Sequence, residues 1–120
     1  MGELNELNEL YKDCLSKFPE LKGVPKLKVE KTRDRLEGAK GRDGDGRTVI
    51  ILWIPEKIWG NWDMVKPIIL HELSHCINLQ EPDGVFYERA DEKSKLLWDK
   101  LTESKTIKCE YIAPHNGVGE

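Results

Sequence analysis

The segment His71-Glu72-Leu73-Ser74-His75 places three ionisable side chains at a spacing that suits metal chemistry. Residues four apart on an α-helix lie on one face, so the imidazoles of His71 and His75 can converge on one ion. Zinc accepts nitrogen ligands of this kind in tetrahedral geometry. Glu72 lies beside such an ion, where its carboxylate can act as general base and acid on a metal-activated water. The spacing predicts a zinc site with Glu72 as its catalytic residue.

The surrounding residues argue against a chance arrangement of these three side chains. The chain has three histidines, and two of them stand in this register. Ile68-Ile69-Leu70 precede the segment and Cys76-Ile77 follow it, which predicts a largely buried helix. Ionisable groups in an apolar helix cost free energy unless something pairs with them. We therefore expect a genuine metal site.

A zinc ion that keeps one position open for water has three protein ligands, so one more side chain is needed. Glu88 and Asp91 follow on a predicted third helix, and Asp91 borders its apolar face more closely. That face is centred on Phe86, Ala90, Leu97 and Leu101. Glu81 is a further candidate because it lies six residues after His75, the spacing of the metzincin pattern. That pattern, however, has glycine at the position of Asn78 and histidine or aspartate at position 81.

A His-Glu-x-x-His helix followed by a second helix with an acidic ligand resembles the gluzincin zinc metallopeptidases. In that family the third ligand is a glutamate in a Glu-x-x-x-Asp pattern, matched here by Glu88, with Glu92 in place of the aspartate. The resemblance thus implies Glu88 as the ligand. The Ala90-Asp91 pair also resembles a Glu-x-x-Ala-Asp motif of integral-membrane relatives, but that register puts Tyr87 at the ligand position. Glu88 and Asp91 both remain candidates for the third zinc ligand.

In size and element order the chain is similar to the minigluzincins, which are small soluble peptidase domains. The resemblance implies a single zincin-like metallopeptidase domain over residues 1–105, and a substrate-binding edge strand for which residues 47–54 are the candidate. It also implies a latent zymogen form, in which the tail of residues 106–120 blocks the site. Cys109 and His115 are the candidate blocking ligands in that tail.

The function expected from this resemblance is zinc-dependent hydrolysis of a peptide or protein substrate. One alternative is a catalytically silent zinc-binding domain with a regulatory or interaction role. Another is a zinc hydrolase that acts on a non-peptide substrate. Intact motif residues favour the peptidase.

Helices are predicted from apolar residues that recur at three- and four-residue spacing, over about residues 4–18, 63–78 and 85–101. Pro19 ends the first helix, Asp63 is a natural N-cap for the second, and Asn78 can take the left-handed C-cap conformation. The second of these helices carries the metal motif.

Strands are predicted by alternation and by β-branched residues, over residues 27–31 and 47–54, with a short extended stretch at 106–112. Residues 37–46 are rich in turn formers and are predicted as an exposed loop with a hairpin turn at residues 43–46. The order of elements indicates an α+β fold. We expect a small antiparallel or mixed sheet packed on about three helices, as a minimal zincin-like domain.

Length and composition limit the remaining function classes. A chain of 120 residues with a net charge of −3 forms one domain and has no basic excess for a nucleic-acid partner. The apolar run at Val49–Ile54 is too short to cross a bilayer, and Met1–Asn5 has no secretory signal pattern. Cys14, Cys76 and Cys109 are odd in number and widely spaced, as in a reducing compartment. We expect a cytoplasmic protein that binds no membrane, and the oligomeric state cannot be read from the sequence.

Overall fold

The computed structural model of the chain describes residues 2–104 and 108–111, with side chains for residues 4–104. Its helices are α1 (Gly2–Leu15), α2 (Trp62–Ile77), α3 (Pro82–Arg89) and α4 (Glu92–Glu103). Its strands are β1 (Lys26–Thr32), β2 (Glu37–Arg42), β3 (Thr48–Pro55) and β4 (Lys108–Tyr111). The predicted α+β class with a mixed sheet is confirmed, and the extended stretch predicted near the C-terminus is β4. No helix in the described ranges is long and apolar enough to cross a membrane.

The sheet has the strand order β1-β3-β2-β4. β1 runs parallel to β3, β2 runs antiparallel to β3, and β4 runs parallel to β2. Alternate side chains of β3, including Ile50, Leu52 and Ile54, are buried against the helices. The prediction that residues 47–54 form an edge strand is wrong, because β1 and β2 pair with both sides of β3.

Strand β2 occupies most of the segment that was predicted as an exposed loop. Residues 37–42 pair with β3 along their whole length and are mostly buried. The prediction is wrong because glycine and alanine serve here as small residues on a strand that lies close to α2. The hairpin turn at residues 43–46 is confirmed. The Asp43 carboxylate accepts the backbone N–H groups of Asp45 and Arg47 at 2.9 Å each, and Gly46 has the positive φ of 80° that the turn requires.

Helix α2 is the central helix and is apolar around most of its surface, as predicted. It packs against strands β2 and β3 and against helices α1, α3 and α4. Its C-cap, Asn78, is extended at φ −139° and ψ 101°, so the predicted left-handed cap is wrong. The Asn78 side chain instead accepts the backbone N–H of Glu81 at 3.0 Å, which shapes the turn into α3.

The single helix predicted over residues 85–101 is two helices, α3 and α4. The chain is extended at Ala90, and Asp91 takes the N-cap position of α4. A helical wheel over residues 85–101 does not apply, because the backbone is extended at both Ala90 and Asp91. Glu88 and Asp91 are therefore not neighbours on one helical face.

Candidate metal site

His71, Glu72 and His75 form a group that can hold a metal ion. Each offers a ligand atom, and these atoms lie within 4.8 Å of one another. Helix α2 brings them together as the four-residue spacing predicts. Glu72 is fully buried and His71 is 6 % exposed, whereas His75 is partly exposed at the edge of the site. The group is therefore open to solvent on the His75 side.

The ring of His75 is fixed by the turn that follows α2. Its Nδ1 lies 3.3 Å from the carbonyl oxygen of Leu79. Because a carbonyl can only accept, Nδ1 carries the proton and Nε2 presents its lone pair. Burial lowers the pKa of His75, although the nearby Glu72 carboxylate opposes this shift. The neutral imidazole, which is the form that binds metal, is thus favoured.

The ring of His71 is held by aromatic side chains on three sides. It stacks on Trp98 with ring centres 4.3 Å apart and planes 20° apart, and it meets the edge of Phe86 at 5.9 Å. His75 lies perpendicular to it at 5.0 Å. α3 and α4 contribute Phe86 and Trp98, so both helices after α2 take part in positioning this histidine.

Glu72 lies where α2 passes close to β2 at Gly38. Its Oε2 is 4.0 Å from Nδ1 of His71. A Cβ atom at Gly38 would lie 3.1 Å from Oε2 of Glu72 and only 2.7 Å from Cγ2 of Ile68. Glycine is required at this position, because any side chain would push the strand away from the carboxylate.

The structure does not bring the sequence-predicted third ligands into this group. Glu88 is largely exposed, with its Oε1 3.4 Å from Nε of Arg89. Asp91 lies 3.5 Å from Nζ of Lys66. Desolvation raises the pKa of Asp91, but the hydrogen bond from Ser94 and the Lys66 ammonium outweigh it, so the net shift is downward. Glu88 and Asp91 therefore stand beside cationic side chains.

Glu81, the third carboxylate considered, is exposed at the N-cap of α3. The blocking ligands predicted in the tail cannot be placed. The side chain of Cys109 and all of His115 lie outside the described residues.

Three residues at the site were not singled out by the sequence analysis. Oδ1 of Asp83 lies 3.1 Å from Nε2 of His71. Trp98 stacks on the same ring, and Gly38 makes room for Glu72. Asp83 had a usable signal, because proline followed by an acidic residue is typical of a helix start. Trp98 and Gly38 had no such signal in the sequence, since their roles depend on contacts between distant parts of the chain.

Comparisons with family models, with curated proteins and with solved structures give no match to this chain. The interpretation of the site therefore depends on the residues of this chain and their geometry.

Proposed function

We propose that the chain is a zinc metallopeptidase of the gluzincin type. The observation that carries the proposal is the position of Glu72. It is a fully buried carboxylate, next in sequence to His71 and grouped with His75 on the same helix. Two imidazoles and an adjacent carboxylate are the residue types that zinc hydrolases use for binding and for proton transfer.

The donor set fits zinc. Both histidines offer nitrogen ligands, and the hydrogen bond from Nδ1 of His75 to Leu79 fixes the tautomer that leaves Nε2 for the metal. When bound, zinc would supply Lewis acidity and make a water molecule acidic enough to attack at neutral pH.

The role of Glu72 is proton transfer. Its carboxylate removes a proton from the attacking water while the water oxygen forms a bond to the scissile carbonyl carbon. The same carboxyl group then gives the proton to the amide nitrogen as the carbon–nitrogen bond breaks. Burial between α2 and Gly38 keeps bulk water from this carboxylate and holds it in one orientation.

The substrate class is an extended peptide, for which β2 is the pairing strand. β2 is the strand that lies against Glu72, and main-chain pairing with a strand edge is a common way to bind an extended peptide. A cleft of about 720 Å³ lies beside the C-terminal end of α2 and is lined by Cys76, Ile77 and Lys40 among others, but not by His71, Glu72 or His75.

The far edge of β2 is taken by β4 from the C-terminal tail, with Glu37 opposite Lys108 and Lys40 opposite Tyr111. A peptide that pairs with β2 at this edge has to displace β4. This position of β4 supports the latent form proposed for the full-length chain.

The experiment compares cleavage of an unfolded protein substrate by wild type and by Glu72→Gln, each stripped with a chelator and reloaded with zinc. We expect wild type with its tail severed to release peptides, and wild type with its tail intact to release them more slowly. We expect Glu72→Gln to bind zinc equally and to lose activity by roughly 100-fold or more, the usual contribution of general acid–base catalysis. Glu103→Gln, an exposed change on α4, is the matched control and should retain wild-type activity.

Equal cleavage by Glu72→Gln would refute the proposal. Normal zinc binding without cleavage by any wild-type form would also refute it, in favour of a catalytically silent zinc-binding domain.

A further inference from the structure

We propose that Asp83 is the third protein ligand of the metal, in place of Glu88 or Asp91. This inference rests on the proposed function only for the presence of a metal at His71 and His75, and not for catalysis. Its starting observation is the 3.1 Å separation between Oδ1 of Asp83 and Nε2 of His71.

The separation suits two ligands of one tetrahedral ion. Zinc bonds to nitrogen and oxygen of about 2.0–2.2 Å, joined at the tetrahedral angle, place two ligand atoms about 3.3–3.4 Å apart. The Asp83 and His71 atoms are within a few tenths of an ångström of that spacing. In the metal-free chain a hydrogen bond joins the two atoms, and the ion would replace its hydrogen on binding.

The nitrogen of His71 that faces Asp83 is the one expected to bind. His75 presents Nε2, because its Nδ1 donates to Leu79. On this proposal His71 also binds the ion through Nε2, which faces Asp83, while its Nδ1 lies 4.0 Å from Oε2 of Glu72. Asp83 then lies beside the atom of His71 that binds the ion.

The fold holds Asp83 at this place. The hydrogen bond from Glu81 N–H to Asn78 Oδ1 turns the chain directly after α2. Pro82 then starts α3, and its fixed φ suits a first helical residue. One turn further on, Phe86 is fully buried and touches the edge of the His71 ring, which anchors α3 beside the site.

The two alternative carboxylates are directed to other partners. Glu88 Oε1 lies 3.4 Å from the guanidinium of Arg89, and Asp91, at the N-cap position of α4, lies 3.5 Å from the Lys66 ammonium. Each would have to leave a cation to reach the ion. Asp83 already lies beside His71 and only has to approach His75, since the ligand atoms within 4.8 Å of one another are those of His71, Glu72 and His75.

The first test measures zinc affinity of the full-length chain by competition with a chromophoric chelator. Asparagine at position 83 can still accept a hydrogen bond from His71 but is a far weaker ligand. Loss of an orienting partner costs roughly 10–100-fold in metal affinity, so a ligand role predicts a loss above about 100-fold for Asp83→Asn. Glu88→Gln and Asp91→Asn are the matched controls, and we expect both within about threefold of wild type. Asp83 is 74 % exposed in its side chain, so its replacement should leave the fold intact.

The second test detects direct contact with the metal by cobalt substitution. A thiolate bound to Co²⁺ gives a charge-transfer band in the near ultraviolet, and thiolates are good ligands for such ions. All variants carry Cys109→Ser, which removes the thiol that could itself reach the ion, and we expect this band in Asp83→Cys and not in the parent chain, Glu88→Cys or Asp91→Cys. A loss of affinity below 100-fold in Asp83→Asn would overturn the assignment, as would absence of the band in Asp83→Cys. Those results would leave the peptidase proposal intact, whereas failure of the cleavage assay would leave the ligand assignment intact.

Discussion

Glu72 is a buried carboxylate whose neighbour on the sheet is a residue without a side chain. Burying an ionisable group is unfavourable unless nearby groups compensate. The residues that contact the Glu72 carboxylate therefore matter for the stability of the site. α2 supplies the two histidines on one side, and β2 supplies the backbone at Gly38 on the other. At the scale of single residues, the site depends as much on the missing Cβ at position 38 as on the ionisable groups.

Gly38→Ala tests this dependence. The added Cβ meets Ile68 at 2.7 Å and Glu72 at 3.1 Å, so either β2 or the carboxylate has to move. Overpacking of this kind costs about 1–3 kcal/mol in the free energy of unfolding, and we expect peptidase activity to fall as well. Urea denaturation of the metal-free chain measures the first effect, and the cleavage assay measures the second.

Gly44→Ala is the matched control, because nothing lies within 4 Å of a Cβ at that exposed turn. It should change stability by less than about 0.5 kcal/mol. In an Ile68→Ala background the closest contact is removed, so the cost of Gly38→Ala should shrink. If Gly38→Ala lowers the free energy of unfolding equally in the wild-type and Ile68→Ala backgrounds, the close approach to Ile68 is not the cause of the destabilisation.

At the scale of elements, periodic segments are the ones that the sequence predicts. The spacing of apolar residues predicts four elements correctly, because each packs one face or most of its surface against the rest of the chain. These elements are α1, α2, β1 and β3. β2 could not be predicted, because its small residues match a loop in composition and its strand character comes from pairing with β3. The break between α3 and α4 was missed because Ala90 and Asp91 are compatible with a continuous helix. The signal for a new helix start was Asp91, because aspartate is a preferred N-cap residue.

The prediction at the scale of elements concerns the tail strand β4. We expect that replacing residues 105–107 with a site for a specific protease, and cutting after the chain has folded, will increase zinc-dependent cleavage of an unfolded substrate. The physical reason is that β4 occupies the edge of β2, where an extended peptide would pair. The measurement is the initial rate before and after cutting, on the same preparation.

A matched cut elsewhere serves as control. The same protease site in the exposed hairpin turn at residues 43–46 should not raise activity when it is cut. If severing the tail leaves the rate unchanged or abolishes it while zinc remains bound, β4 is a structural strand and the latent form is wrong.

At the scale of the whole molecule, the site is assembled from parts that are distant in sequence. The strand order β1-β3-β2-β4 brings Gly38 to α2, and the turn after α2 brings Asp83 back to His71. The metal motif itself could be predicted, because its residues share one helix and need no tertiary information. The neighbours of that helix could not, since they depend on how the sheet is ordered and where the third helix begins.

The central claim is that His71 and His75 bind a metal ion, and it is tested most directly by metal analysis of the full-length chain. We expect one zinc ion per chain in wild type after reloading and dialysis. We expect binding to weaken by more than about 100-fold in the double variant His71→Asn/His75→Asn, which loses two of the proposed protein ligands. Wild type that retains no zinc, or a double variant that retains as much as wild type, would contradict the account.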